Sequence, residues 1–191
     1  MKGAKDIITA VVALTLICIV VTAALAVTNH FTVDAIAAVN ERLLNESLTE
    51  IVPSAASFDE LTETDLPESP DNYESAYLAV DSSSQSIGLV VITKIAGYGG
   101  DIRVMTGIAD GQITGVKILA ADNETPGLGA RISESDYLAQ YKDKPAGRLS
   151  LSRDGGDVDA VTGATISSRA LLNAVNSAVE TYEVVKDVGI L

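Results

Sequence analysis

The run Asp159-Ala160-Val161-Thr162-Gly163-Ala164-Thr165-Ile166-Ser167-Ser168-Arg169 has the residue types of an anion or attachment site. Small and hydroxylated side chains crowd the point where an apolar stretch, around Val158 to Val161, gives way to an amphipathic segment. A helix that begins there presents N–H groups without intrahelical acceptors and a partial positive charge, which suits phosphate. Gly163 and Ala164 let the backbone approach a bulky ligand closely. The same residues also read as an ordinary helix start with Thr165 or Ser167 as N-cap, since Ser and Thr are favoured caps.

A second run, Glu124-Thr125-Pro126-Gly127-Leu128-Gly129-Ala130-Arg131-Ile132, joins a proline that fixes φ to two glycines that permit turns and close approach. It reads either as the wall of a ligand site or as a rigid surface turn. Arg131 and Arg169 are candidate phosphate partners, because a planar guanidinium matches anions. Either could instead pair with one of the many carboxylates. Gly97-Tyr98-Gly99-Gly100 is no phosphate-binding Walker loop, since no Gly-Lys-Ser/Thr follows it, and alone it reads as a tight turn.

Other chemistries are excluded by composition. His30 is the single histidine and stands at the end of an apolar run, so neither a Ser-His-Asp triad nor a His-rich metal site can be assembled. Cys18 is the single cysteine and lies within that run, so no intrachain disulfide forms. The formal net charge of −13 argues against nucleic acid as a partner, which requires cations facing phosphates. Most of this acidity falls between residues 34 and 81, where 12 acidic residues face the single base Arg42. That distribution keeps a connecting segment soluble.

The elements that must position the site follow from periodicity. Ile7 to Val33 contains no Asp, Glu, Lys or Arg, and about 20 predominantly apolar residues suffice to cross a bilayer. The run is too long for a cleaved signal peptide, so residues 7–29 are expected to be a retained transmembrane helix. Lys2 and Lys5 ahead of it place residues 1–6 in the cytoplasm by the positive-inside rule, and the rest of the chain outside. Val33, Ile36, Ala37, Asn40, Leu44, Leu48 and Ile51 continue a helical stripe that ends by Pro53. Pro53 to Asp71 reads as an irregular connector, so residues 30–72 form a helical extension and acidic stalk. The folded part is expected over 73–191. Apolar β-branched runs at Ala76–Val80, Ile87–Ile95, Ile102–Ile108 and Ile113–Leu119 read as strands, with Asp110-Gly111 as a hairpin turn. A short helix over Ser135–Tyr141 and a short strand over Val158–Val161 precede a last helix whose apolar face is Leu171, Val175, Ala178, Val179 and Tyr182. Consecutive strands followed by helices give an α+β fold with a mainly antiparallel sheet and flanking helices.

Three blocks in order carry a resemblance. Ile95-Ala-Gly97-Tyr98-Gly99-Gly100-Asp101-Ile102 leads into Met105-Thr-Gly107-Ile; Glu124 to Ile132 and Asp159 to Arg169 follow. With them the chain resembles the FMN-binding domain of the RnfG and NqrC subunits of membrane redox complexes over roughly Ile87 to Val185, and the anchor and acidic stalk match that layout. The third block is similar to the family's flavinylation motif, Asp-x-x-Ser/Thr-Gly-Ala-Thr/Ser.

The resemblance implies FMN joined by a phosphoester bond to Thr165, with Thr162, Gly163 and Ala164 beside it. It implies that Glu124, Thr125, Pro126, Gly127, Leu128 and Gly129 line the flavin, Leu128 against the ring and Glu124 and Thr125 at its edge. A separate flavin transferase using FAD and Mg²⁺ would recognise the motif from Asp159. The function implied is an electron-carrying, non-catalytic subunit of an Rnf-type ferredoxin:NAD⁺ oxidoreductase coupled to Na⁺ or H⁺ translocation, associated with the other subunits in the cell membrane. The short chain favours this over an NqrC-like subunit. A stand-alone flavinylated carrier outside the cytoplasm and a non-redox anchored binding or scaffold domain are the alternatives.

Overall fold

The computed structural model describes residues 2–62, 66 and 70–191. Met1 and the side chains of Lys2 and Lys5 lie outside the described residues, as do residues 63–65 and 67–69 of the expected connector. The chain divides into two units, Met1–Glu46 and Ser47–Leu191.

Helix α1 runs over Lys2–Ile51 and stops ahead of Pro53, whose ring disfavours helix in the residue before it. In the first unit, its side chains from Ile7 to Val27 are exposed all round the helix, as expected of a segment solvated by lipid rather than by protein. It is the one helix among the described residues long and apolar enough to cross a membrane. Two hydroxyls within it find their acceptors inside the helix: Thr15 Oγ1 donates to Val11 O and Thr28 Oγ1 to Ala24 O, one turn back.

In the second unit, five strands form an antiparallel sheet in sequence order: β1 Ser57–Glu60, β2 Tyr73–Val80, β3 Ser86–Ala96, β4 Asp101–Ala109 and β5 Gln112–Ala120. The α+β reading therefore holds, and the four strands read from the sequence are β2 to β5. The connector of Pro53 to Asp71 is corrected: it contains β1, an edge strand in register with β2 from Ser57↔Val80 to Glu60↔Tyr77. Its sequence, Ser-Phe-Asp-Glu, has no apolar alternation to announce it. Backbone pairing to β2 supplies what its side chains do not.

Sheet pairing explains the burial of β3 on both faces. Leu89, Val91, Thr93 and Ile95 stand opposite Ile108, Thr106, Val104 and Ile102 of β4, on the face covered by helix α3, Thr165–Asp187. Thr93 Oγ1 reaches Ala174 O of that helix at 3.3 Å. All five residues of the expected apolar helical face, Leu171, Val175, Ala178, Val179 and Tyr182, are buried. On the opposite face, Val90 and Ile92 pair with Gly107 and Met105. There Leu48, Ile51 and Val52 are buried, and a Cβ on Gly107 would lie 2.1 Å from Ile51 Cγ2. Glycine at 107 is thus required by the approach of Ile51. This packing carries the start of the unit back to Ser47, ahead of the Tyr73 read from the sequence.

Between β5 and α3 the chain forms a short helix, α2 Ser135–Leu138, continued as a 3₁₀ turn over Ala139–Tyr141, matching the expected element. The strand expected at Val158–Val161 is reduced to a single parallel bridge, Leu151↔Val158. Val158 is still buried, so the apolar signal was for core rather than for pairing.

Candidate functional site

The three sequence blocks meet through one side chain, Glu124. It is 4% exposed. Its Oε1 accepts the N–H groups of Tyr98 at 2.7 Å and Gly99 at 3.3 Å, and its Oε2 accepts the hydroxyl of Ser167 at 2.6 Å. The glycines around it are spaces for this carboxyl group. A Cβ on Gly97 would stand 2.3 Å from Oε1, and one on Gly129 2.2 Å from Oε2. The β3–β4 turn, the β5–α2 loop and the first turn of α3 are therefore fastened by one buried residue.

In front of this clamp is a cleft of about 390 Å³, lined by Tyr98, Thr125, Leu128, Gly129 and the segment from Gly163 to Ser167. Small-molecule sites commonly span about 300–1,000 Å³. The side chains of Tyr98, Leu128 and Ile166 stay 67%, 40% and 58% exposed. They form an apolar rim of the kind that marks a binding surface rather than a random exposure. Gly163 takes φ 83°, and a Cβ there would meet Leu128 Cδ1 at 3.0 Å. A residue with a side chain would be strained and would press on that wall.

Thr165 is the first residue of α3, and the N-cap position is Ala164, which offers no side-chain hydrogen bond. The reading of Thr165 or Ser167 as N-cap is thereby corrected. Thr165 Oγ1 instead accepts a hydrogen bond from Arg153 Nη1 at 3.2 Å, and the Ser167 hydroxyl is committed to Glu124. Ser168 Oγ accepts the N–H of Val161 at 2.9 Å and so fixes how the chain enters the helix. The first N–H groups of α3 have no acceptor within the helix, and they face the side from which an anion gains by up to about 1 kcal/mol.

The sequence candidates divide as follows. Thr125, Leu128, Gly129, Gly163, Ala164 and Thr165 line the cleft. Glu124, expected at a ring edge, lies behind the cleft, where its oxygens accept from protein donors and clamp the three blocks. Pro126, Gly127 and Thr162 are exposed and outside the lining. Gly127, at φ 72°, turns the loop so that the Leu128 and Ala130 N–H groups both reach Thr125 O. Arg131 and Arg169 pair with Glu134 and Asp154, the alternative the sequence left open for them. Asp159 is exposed, and its backbone is held at both ends by the Gln140 amide: its N–H donates to Oε1 at 2.7 Å and its carbonyl accepts from Nε2 at 3.3 Å. Ahead of it, Lys144 pairs with Asp157 and holds that carboxyl below the usual aspartate range, chiefly through the hydrogen bond.

Tyr98, Ile166, Ser167, Arg153 and Gln140 were missed as site residues by sequence reasoning. The first three lie inside the quoted blocks, so proximity to the motif could have found them. Nothing in the sequence marks Arg153 or Gln140.

Among the described residues no group of three or more His, Cys, Asp or Glu could hold a metal. A planar apolar ligand carrying a phosphate fits better: exposed apolar side chains at the rim, a glycine floor, and a hydroxyl beside a guanidinium at a helix start. Comparison with known proteins agrees. A model of the FMN-binding domain matches residues 97–180. The chain is 35% identical over 182 residues to the G subunit of the ion-translocating oxidoreductase complex of Methanosarcina acetivorans, covering 94% of this chain and 96% of that protein. It is 33% identical over 176 residues to the G subunit of the Na(+)-translocating ferredoxin:NAD(+) oxidoreductase complex of Acetobacterium woodii, covering 84% of each. The crystal structure of Shewanella oneidensis NqrC shares the fold, with a TM-score of 0.50 at 22% identity over 65% of this chain and 69% of that one. The chain therefore belongs to the family of G subunits of ion-translocating oxidoreductase complexes, and residues 97–180 are its FMN-binding domain.

Proposed function

We propose that this chain is the electron-carrying subunit of an Rnf-type ferredoxin:NAD⁺ oxidoreductase coupled to Na⁺ or H⁺ translocation, with FMN joined covalently to Thr165 on the side of the membrane opposite the cytoplasm. The observation that carries the attachment is the place of Thr165: its hydroxyl stands at the lip of a cleft that all three blocks build. The topology rests on Lys2 and Lys5 ahead of an apolar helix. The complex rests on relatives that are G subunits of Na(+)- or proton-translocating ferredoxin:NAD(+) oxidoreductase complexes.

FMN bound here supplies transfer of single electrons. The protein's own part is to hold and orient it. Tyr98, Leu128 and Ile166 supply apolar surface to cover, Gly129 and Gly163 allow close approach, and Glu124 keeps the three walls in register. In attachment by a flavin transferase, Thr165 Oγ1 would be the atom that takes up phosphorus as the pyrophosphate bond of FAD breaks, with AMP as the leaving group and the hydroxyl proton released. The exposed Asp159, its backbone pinned by Gln140, is available for recognition by that enzyme.

The test is the intact mass of the full chain co-expressed with a flavin transferase. The expected result is an increase equal to FMN less one water, absent in Thr165→Ala. A wild-type chain that stays at its unmodified mass sinks the attachment. Co-purification then tests the assembly: partners with iron–sulfur motifs agree with it, and a quinone-reducing assembly replaces it with an NqrC-like role.

A further inference from the structure

The segment from Ser150 to Val158 is a short excursion closed upon itself. Ser152 N–H donates to Val158 O at 2.8 Å, and Gly155 turns the chain at φ 88°. A Cβ on Gly156 would lie 2.0 Å from Ser150 O, so the return strand needs glycine. Leu151 and Val158 are fully buried beneath it. On its outer side Asp154 Oδ2 meets Arg169 Nη1 at 2.9 Å, fastening the excursion to the first turn of α3. The result is a fixed position for Arg153, whose Nη1 donates to Thr165 Oγ1 at 3.2 Å.

The chain holds 26 acidic residues against 13 basic ones, yet among the described residues two of its six arginines, Arg148 and Arg153, form no ion pair with a carboxylate, and of these two Arg153 is the one that reaches Thr165. The adjacent acid, Asp154, is taken by Arg169. The arginine at the end of the third block thus acts as a fastener, and the arginine twelve positions before Thr165 reaches the hydroxyl.

We infer that Arg153 is the cationic partner of the phosphodiester at Thr165. This rests on Thr165 being the attachment point. A phosphodiester on Oγ1 carries its anionic oxygens two bonds from the atom that Arg153 already touches, and a guanidinium has five donors in a fork that suits them. Lysine supplies charge without the fork and replaces it only in part. Before attachment, the same donor stabilises the charge that grows on Oγ1 as its proton leaves.

Two measurements on the full chain in detergent test this. With purified transferase, FAD and Mg²⁺, Arg153→Gln is expected to slow flavinylation about tenfold, the loss of one charge-assisted hydrogen bond. Arg153→Lys is expected to recover part of the rate, and Arg148→Gln to match wild type. In wild-type protein labelled with ¹⁵N-arginine, the Arg153 Nε–H resonance, assigned by its disappearance in Arg153→Lys, is expected to move on flavinylation while that of Arg148 stays in place. The second measurement needs no variant to be flavinylated. If wild type gains no FMN mass, the attachment reading fails and this inference with it. If wild type gains the mass while the Arg153 resonance does not move, the role of Arg153 alone is overturned.

Discussion

Replacing Glu124 by alanine is the sharpest test of how the site is assembled. Three donors lose their acceptor: the Tyr98 N–H at 2.7 Å, the Gly99 N–H at 3.3 Å and the Ser167 hydroxyl at 2.6 Å. A buried donor left unsatisfied costs about 1–3 kcal/mol. The Gly99 bond is long and contributes least. The Ser167 hydroxyl can rotate toward another acceptor, and water can enter from the nearby cleft. Two substantial losses, each reduced by that solvation, come to about 3 kcal/mol. For a domain of this size that lowers the melting temperature by roughly 6–12 °C. Glu124→Gln keeps one oxygen for the backbone N–H groups and turns an amide N–H toward Ser167 Oγ, so about 1 kcal/mol is expected. Thermal melting of the full chain followed by circular dichroism reads both. Combining Glu124→Gln with Ser167→Ala completes a cycle, and the pair should couple because the two side chains share a hydrogen bond. An alanine variant that melts within about 1 °C of wild type, a shift worth less than 0.5 kcal/mol, would refute the claim that Glu124 joins the three blocks.

Two further outcomes are expected. Burial pushes the Tyr141 phenol well above its usual range, with the neighbouring Tyr137 adding to it. A group raised in the folded state contributes stability below its unfolded pKa and loses it as pH rises, so stability should fall above about pH 10, by at most about 1.4 kcal/mol per pH unit from this residue. Because the Tyr141 hydroxyl is buried without a hydrogen-bond partner, Tyr141→Phe should be no less stable at pH 7 and should flatten that alkaline decline in a pH series of denaturant melts. A Gly163→Ala chain must hold φ 83° with a Cβ against Leu128. It should lose about 1–2 kcal/mol and take up flavin more slowly by intact mass; an unchanged chain on both counts would show that the floor of the cleft tolerates side chains.

The sequence alone determined the elements whose periodicity is strong. A run without charges from Ile7 to Val33 can only be buried in something apolar, and alternating β-branched runs either side of Asp110-Gly111 leave little choice but a hairpin. The apolar face of α3 was legible for the same reason, since one face of a 3.6-residue period must meet a core. The three motif blocks were legible too: each run alone had two readings, and together in order they carried the resemblance to a flavin-binding family. How those runs come together was set by contact between residues far apart in the chain. Glu124 lies 43 positions from the Ser167 hydroxyl it accepts, and its burial behind the cleft depends on glycines at 97 and 129 that look in sequence like ordinary turns. The β1 strand was invisible because pairing to β2 uses backbone groups, which every sequence has. Arg131, Arg153 and Arg169 are chemically the same residue, and no local pattern says which one reaches a hydroxyl. Only the folding of the Ser150–Val158 excursion onto α3 assigns Arg169 to Asp154 and Arg153 to Thr165. Short-range sterics and hydrophobic period write the elements into the sequence, whereas the partner of a long polar side chain is set by which surfaces the core brings together.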